Sequence, residues 1–164
     1  MSDQVHLRVD NRLLHGQVVQ FWIGHLEVAD LIIADDEVAC NEAMPTIYRM
    51  ALPEAVGLKV ITVSALKAEL DKIGPLTTLI LMRDVRDVMS AIEAGVVLRR
   101  ITLGNVHATA DRKRVTDSVY LSDEESEALM RLCREGIEVE IQTFPGEILR
   151  LIEDQKGEIR WLRP

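Results

Sequence analysis

The residues with the most chemistry to offer lie together near the N-terminus, in Arg8-Val9-Asp10-Asn11-Arg12-Leu13-Leu14-His15-Gly16-Gln17-Val18. An uncharged imidazole is a nucleophile near neutral pH and can hold a phosphoryl group as a phosphoramidate. A guanidinium grips phosphate oxygens with a planar fork. A glycine lets the backbone come close to a ligand. His15, Arg12 and Gly16 therefore suit phosphoryl chemistry, with Asp10 placed to orient either Arg12 or the imidazole. Each residue also has a plainer reading: a surface histidine, a local ion pair, a turn glycine.

The flanking residues decide how these groups are held. Val5-His6-Leu7, continued by Val9, alternates as a strand does, and Val18-Val19-Gln20-Phe21-Trp22-Ile23 is an apolar run that starts a buried helix. The polar stretch between them is then a strand-to-helix turn with His15 at the mouth of the helix. A helix N-terminus presents unpaired N–H groups and a positive dipole end. Backbone N–H groups around Leu14, Gly16 and Gln17 are the expected phosphate donors.

The rest of the chain alternates strand and helix. Strands are expected at Val5–Val9, Asp30–Ala34, Lys59–Val63, Thr77–Met82, Arg100–Leu103, Ser118–Leu121 and Glu138–Thr143. Helices are expected at Gln17–His25, within Asn41–Ala51 (Pro45 in its first turn, Pro53 beyond its end), at Ala65–Lys72 with Ser64 as cap, at Val85–Ala94 with Asp84 as cap, at Asp123–Arg134 and at Glu147–Asp154. Ser122-Asp123-Glu124-Glu125 is a capping box. Gly104–Asp117 reads as a loop and Glu158–Pro164 as a short extended tail. This order implies an α/β fold, a single domain over 1–164 with a mostly parallel β-sheet and helices on both faces. Ligands bind such sheets at the carboxyl ends of the strands. The turns Asp10–His15, Asp35-Asp36, Arg83-Asp84 and Gly104-Asn105 would converge on that rim, which makes Arg8, Asp36, Arg83, Asn105, His107 and Arg112 candidate rim or partner contacts.

Composition narrows the class. The chain has 164 residues, 48% hydrophobic and 28% charged, the balance of an ordinary globular protein. A net charge of −8 argues against nucleic acid as a partner, since phosphate backbones demand a basic face. Cys40 and Cys133 are far apart and read as thiols in a reducing compartment, and no His, Cys or carboxylate spacing suggests a metal. Met1-Ser2-Asp3-Gln4 has neither a basic nor an apolar leader pattern, and no stretch approaches the ~20 apolar residues of a membrane span. A cytoplasmic protein without cofactor is expected.

The stretch Arg8–Val18 resembles the signature R-[IV]-D-x-R-[LI]-[LI]-H-G-Q-V of the IIB component of the mannose/fructose/sorbose class of the phosphoenolpyruvate-dependent sugar phosphotransferase system (PTS). Asp35-Asp36-Glu37-Val38-Ala39, Met50-Ala51-Leu52-Pro53, Leu121-Ser122-Asp123-Glu124-Glu125 and Glu135-Gly136-Ile137-Glu138-Val139 are similar to the family as well. The resemblance implies a relay. His15 takes a phosphoryl group, on Nδ1 in family members, from a phosphohistidine of a IIA protein and passes it to a sugar bound by membrane IIC/IID components. It implies a peripheral association with that permease; a homo-oligomer stays open. Many members carry a doubled glycine where this chain has Gly104-Asn105-Val106.

Two other readings stand beside it. One is a histidine phosphatase, whose motif places Arg directly before His; here Leu14 holds that position. The other is a regulatory phosphohistidine module that transports nothing. Arg112-Lys113-Arg114 is a basic run in an acidic chain, either a docking patch or a solvated loop, and His6 and His25 read as strand-face and helix-end residues.

Overall fold

Five residues of the strand Thr78–Met82 are buried without interruption, and the strand Asp30–Ala34 shows the same pattern over its last four. A strand with no polar face is covered on both sides, which places these two inside a parallel sheet. The structure, a computed structural model, describes residues 4–153 and 157–163. Residues 1–3, Asp154 of the expected last helix and Pro164 of the expected tail lie outside them.

The strands are β1 Val5–Asp10, β2 Asp30–Ala34, β3 Gly57–Ile61, β4 Thr78–Met82, β5 Arg100–Asn105, β6 Lys113–Arg114, β7 Tyr120–Leu121, β8 Glu138–Ile141, β9 Leu149–Glu153 and β10 Ile159–Leu162. Eight of them form one sheet in the order β10-β9-β8-β5-β1-β4-β2-β3. The six from β3 to β8 run parallel, and β9 and β10 add antiparallel at one edge. β6 and β7 form a separate ribbon. The expected α/β architecture with a mostly parallel sheet holds. Because β1 lies between β4 and β5 while the chain runs on from it to β2, the sheet changes direction there, and the carboxyl end of β1 is where a ligand site belongs.

The helices are α1 Asp36–Ala39, α2 Met44–Ala51, α3 Leu66–Leu70, α4 Val85–Glu93 and α5 Asp123–Arg134. Residues 16–25 are also helical, and Val18–Ile23 within them form a π-helix. Alternation along the strands splits the core in two. Leu7, Val9, Ile80, Met82, Ile101 and Leu103 face α4 and α5, while Leu31, Ile33, Leu79 and Leu81 face Leu14, Val18, Trp22 and Tyr48. Each large apolar side chain so buried contributes about 1.5–3 kcal/mol. Capping boxes start α4 (Asp84 with Asp87) and α5 (Ser122 with Glu125).

Three expectations fail. Ser64 makes no capping bond; Val63–Ala65 is a 3₁₀ turn leading into α3. The expected loop from Gly104 is shorter, because β5 runs on to Asn105 and β6 lies within it. The expected helix Glu147–Asp154 is instead strand β9. Its period is two: Leu149 and Leu151 pack on the α5 side of the core, and Arg150 stands opposite Glu140 across the sheet. Gly146, at φ +98°, turns the chain back so that β9 covers the β8 edge. The extended tail is borne out as β10.

Candidate functional site

At the end of β1 the chain makes a tight turn in which the Leu13 N–H donates to the Asp10 carbonyl at 2.9 Å. Leu13 sits in the left-handed region at φ 54°, strained for a side chain of its kind, and is held there by burial of Leu13 and Leu14 in the core. The strain is spent on geometry, since the turn folds His15 back over Asp10. His15 Nε2 lies 3.0 Å from Asp10 Oδ2, and the ring is 15% exposed.

Asp10 is completely buried and collects donors. Its Oδ1 accepts from the Arg12 backbone N–H at 3.2 Å, and its Oδ2 accepts from Arg8 Nη2 at 3.4 Å as well as from His15. A carboxylate can only accept, so the shared hydrogen belongs to His15 Nε2 and the lone pair of the neutral ring is on Nδ1.

Arg8 backs this carboxylate. Only 3% exposed, it lies 4.5 Å above the Trp22 ring, and its Nη1 donates to the Gln142 carbonyl at 2.7 Å. Burial, opposed by Asp10, lowers its pKa to about 10, so it stays cationic at neutral pH. Gly104 makes room for it: a Cβ there would stand 2.0 Å from the guanidinium carbon. Gly104 is also the bulge residue, because Val9 pairs with Leu103 while Asp10 pairs with Asn105. That slip brings Asn105 beside the turn.

Arg12 leans across the mouth, about half exposed. Its Nη2 donates to Gln17 Oε1 at 2.8 Å, and its Nε stands 3.8 Å from Asp10 Oδ1. Arg12 Nε can only donate, so Asn105 presents its amide oxygen, which accepts from Arg12 Nε at 3.1 Å and from His107 Nε2 at 3.0 Å, while the amide nitrogen donates to the Ser118 carbonyl at 3.2 Å. Asn11 ties two turns together, donating to the Arg83 carbonyl at 2.8 Å and accepting from the His107 N–H. Gly16 is exposed, has no positive φ and has nothing within 4 Å of a built Cβ, so no contact within the chain requires glycine there.

The structure thus gathers Asp10, Arg12, His15, Gln17, Asn105 and His107 on one rim. Three candidate rim contacts are placed otherwise. Arg8 is buried behind the site rather than exposed on it. Asp36 caps the turn after β3, accepting from the Val63 N–H at 2.7 Å. Arg112 is the buried partner of Glu125 and braces the His107 carbonyl at 3.2 Å. Lys113 and Arg114 are paired with Asp123 and Asp117, so the basic run has acids of its own. Arg83 reaches the rim but is clamped by Asp35 at 2.6 Å. Burial pushes the Asp35 carboxyl up, but the Arg83 and Val38 hydrogen bonds outweigh it and bring it below its usual range. Sequence reasoning missed Trp22 and Gly104 as supports for Arg8. The glycine inside a strand was a readable signal of a bulge or close approach; the tryptophan gave none. Among the described residues no group of three or more His, Cys, Asp or Glu side chains is arranged to hold a metal, and no helix is long and apolar enough to cross a membrane.

Both the sequence and the α/β fold are matched by known proteins. Residues 4–155 match the family model described as PTS system sorbose subfamily IIB component. The chain belongs to this family. It is 26% identical over 149 residues to the PTS system fructose-specific EIIB component of Bacillus subtilis, covering 90% of this chain and 91% of that one. It is 27% identical over 137 residues to the PTS system mannose-specific EIIAB component of Escherichia coli, covering 82% of this chain and 42% of that longer one. The crystal structure of manxB from Thermoanaerobacter tengcongensis superposes with a TM-score of 0.80 at 30% identity, covering 91% of this chain and 94% of that chain. PTS IIB components are phosphotransferases in sugar uptake.

Proposed function

We propose that His15 carries a phosphoryl group on Nδ1, receiving it from a phosphohistidine of a IIA protein and giving it to a sugar held by membrane IIC/IID components. The observation that supports this most is the 3.0 Å bond from His15 Nε2 to Asp10, which leaves the Nδ1 lone pair for attack. In the first step the Nδ1–P bond forms as the P–N bond of the donor breaks, and the imidazole becomes cationic. Asp10, paired with Arg8, stabilises that cation through Nε2. Arg12 and the first N–H groups of the helix of residues 16–25 neutralise the transferring oxygens, and Gly16 leaves space for donor or acceptor to approach. In the second step a sugar hydroxyl attacks phosphorus and the Nδ1–P bond breaks.

The A-and-B name of the Escherichia coli relative, of which this chain matches 42%, supports a IIA donor. The phosphatase alternative needs a guanidinium directly before the histidine, where Leu14 is buried in the core. The test is intact-mass analysis after incubation with phosphoenolpyruvate, enzyme I, HPr and a cognate IIA. One phosphoryl group should be added, labile in acid and stable in alkali, and His15→Ala should fold and take up none. A phosphate that survives acid and leaves in hydroxylamine would move the assignment to a carboxylate. Transfer from the phosphorylated protein to sugar in IIC/IID-containing vesicles would support transport over a purely regulatory role.

A further inference from the structure

Arg12 is a long, exposed side chain, and such a side chain stays in one place only if partners hold it. Two amide oxygens do so: that of Asn105 accepts from Arg12 Nε at 3.1 Å, and Gln17 Oε1 accepts from Nη2 at 2.8 Å. The Nε–H and the adjoining Nη2–H lie along one edge of the guanidinium, so both amides occupy the same edge. Among the described residues Nη1 has no hydrogen-bond partner. The inner edge of the fork is therefore fixed, and the outer edge, Nη1 with the second Nη2 hydrogen, is left over.

Asn105 is half-buried and is held in turn. Its backbone carbonyl accepts from the Asn11 N–H at 2.9 Å, its amide nitrogen donates to the Ser118 carbonyl at 3.2 Å, and its amide oxygen also accepts from His107 Nε2 at 3.0 Å. The Ser118 carbonyl accepts from the Val106 N–H as well, at 2.8 Å, and the Ser118 hydroxyl is hydrogen-bonded to that of Thr143 at 2.6 Å. The bulge at Gly104 sets Asn105 opposite Asp10, so this framework stands beside the turn that bears His15. Arg12 Nε and His15 Nε2 lie 3.8 Å and 3.0 Å from the two oxygens of that one carboxylate.

An amide oxygen holds a guanidinium without cancelling its charge, as a carboxylate in the same place would. Asp10 is already paired with Arg8 Nη2 at 3.4 Å. We propose that Asn105 and Gln17 are positioning residues for phosphoryl transfer: their side chains hold the inner edge of Arg12 and leave its outer edge and its charge for the transferring oxygens. This rests on the transfer role proposed for His15. Neither side chain touches the phosphoryl group; both act through Arg12. The gain is preorganisation, since a donor already in place needs no rearrangement as the transition state forms.

The test is a double-mutant cycle in single-turnover transfer from phospho-IIA, with the rate followed across phospho-IIA concentrations. Asn105→Ala should lower the saturated rate about tenfold, the scale of one hydrogen bond to a charged group, and leave the half-saturating concentration nearly unchanged. In an Arg12→Ala background the same change should slow nothing further, because no guanidinium is left to hold. Gln17→Ala, which keeps the backbone N–H at the helix start, should behave in the same way and serves where Asn105→Ala fails to fold. A readout without phosphate is the Arg12 Nε–H resonance, identified by its loss in Arg12→Lys. It should exchange slowly with water in the wild-type protein and fast in Asn105→Ala. A merely structural role would lower the melting temperature and leave the cycle additive. Wild-type saturated rates in both alanine variants, the same loss repeated without Arg12, or an effect confined to the half-saturating concentration overturns the proposal. A wild-type protein that accepts no phosphoryl group overturns the reading of His15 instead, and the Arg12 resonance then still decides whether Asn105 holds that side chain.

Discussion

Asp10→Asn tests the core of the proposed mechanism. The substitution keeps volume and removes charge at a completely buried position where three donors meet, His15 Nε2 at 3.0 Å, the Arg12 N–H at 3.2 Å and Arg8 Nη2 at 3.4 Å. An amide has one oxygen to give them. Placed at Oδ2, its NH₂ faces Arg8, a donor against a donor, and asks His15 Nε2 to accept. The ring must then carry its proton on Nδ1, the atom proposed to attack. Placed at Oδ1, the NH₂ opposes the Arg12 N–H and the turn opens. A hydrogen bond to a charged group is worth about 1.5–3 kcal/mol, and every 1.4 kcal/mol is about tenfold, so the attacking tautomer should become about 10- to 150-fold scarcer. Phosphoryl transfer from phospho-IIA should slow by at least that factor.

Stability falls as well, because Arg8 loses its buried counter-charge. Breaking such a pair costs about 3–5 kcal/mol out of a total of about 5–15. The assay is therefore single-turnover transfer from phospho-IIA, with circular dichroism and a denaturant midpoint measured on the same sample. Folded Asp10→Asn that accepts phosphate at the wild-type rate, with ³¹P spectra placing it on Nδ1, would refute the tautomer argument.

Arg12→Lys keeps the charge but loses the fork that spans Gln17 and Asn105, so transfer should slow, and Arg12→Ala should lose ~10²–10³ in rate, the scale for one preorganised donor; near-wild-type rates in Arg12→Ala would leave the helix N-terminus as the phosphate neutraliser. Gly104→Ala drives a methyl into the Arg8 guanidinium and should cost about 1–3 kcal/mol by overpacking, together with slower transfer, read from thermal melts and the same kinetics. Burial, with Asp84 close by, raises the Asp87 pKa to about 6, above its unfolded value, so the folded state binds more protons and stability falls as pH rises from about 4 to 6. Asp87→Asn should therefore melt higher than wild type at pH 7 and equally at pH 4; a difference that is the same at both values would exclude the carboxylate as its source.

Most of this site was legible because its residues are contiguous. Asp10, Arg12, His15 and Gln17 sit in one turn, and a strand followed by an apolar run places that turn at a helix mouth whatever the rest of the chain does. The sheet was legible for a similar reason: runs such as Leu31–Ala34 and Leu79–Met82 have no polar face and need cover on both sides. What was not legible depends on contacts between distant segments. Arg8 reads as one more polar residue beside the motif until Gly104 and Gln142, both far along the chain, are seen to enclose it. Arg112 reads as part of a basic patch until Glu125 is found beside it. Leu149–Glu153 fits either a short helix or a strand, and the open β8 edge, a tertiary fact, decides for the strand. The same long-range closure that hides Arg8 also leaves its Nε, with Trp22 Nε1, Glu140 Oε2 and Arg150 Nε, buried without a hydrogen-bond partner. A local motif thus supplies the reactive group, and the topology supplies the carboxylate's counter-charge.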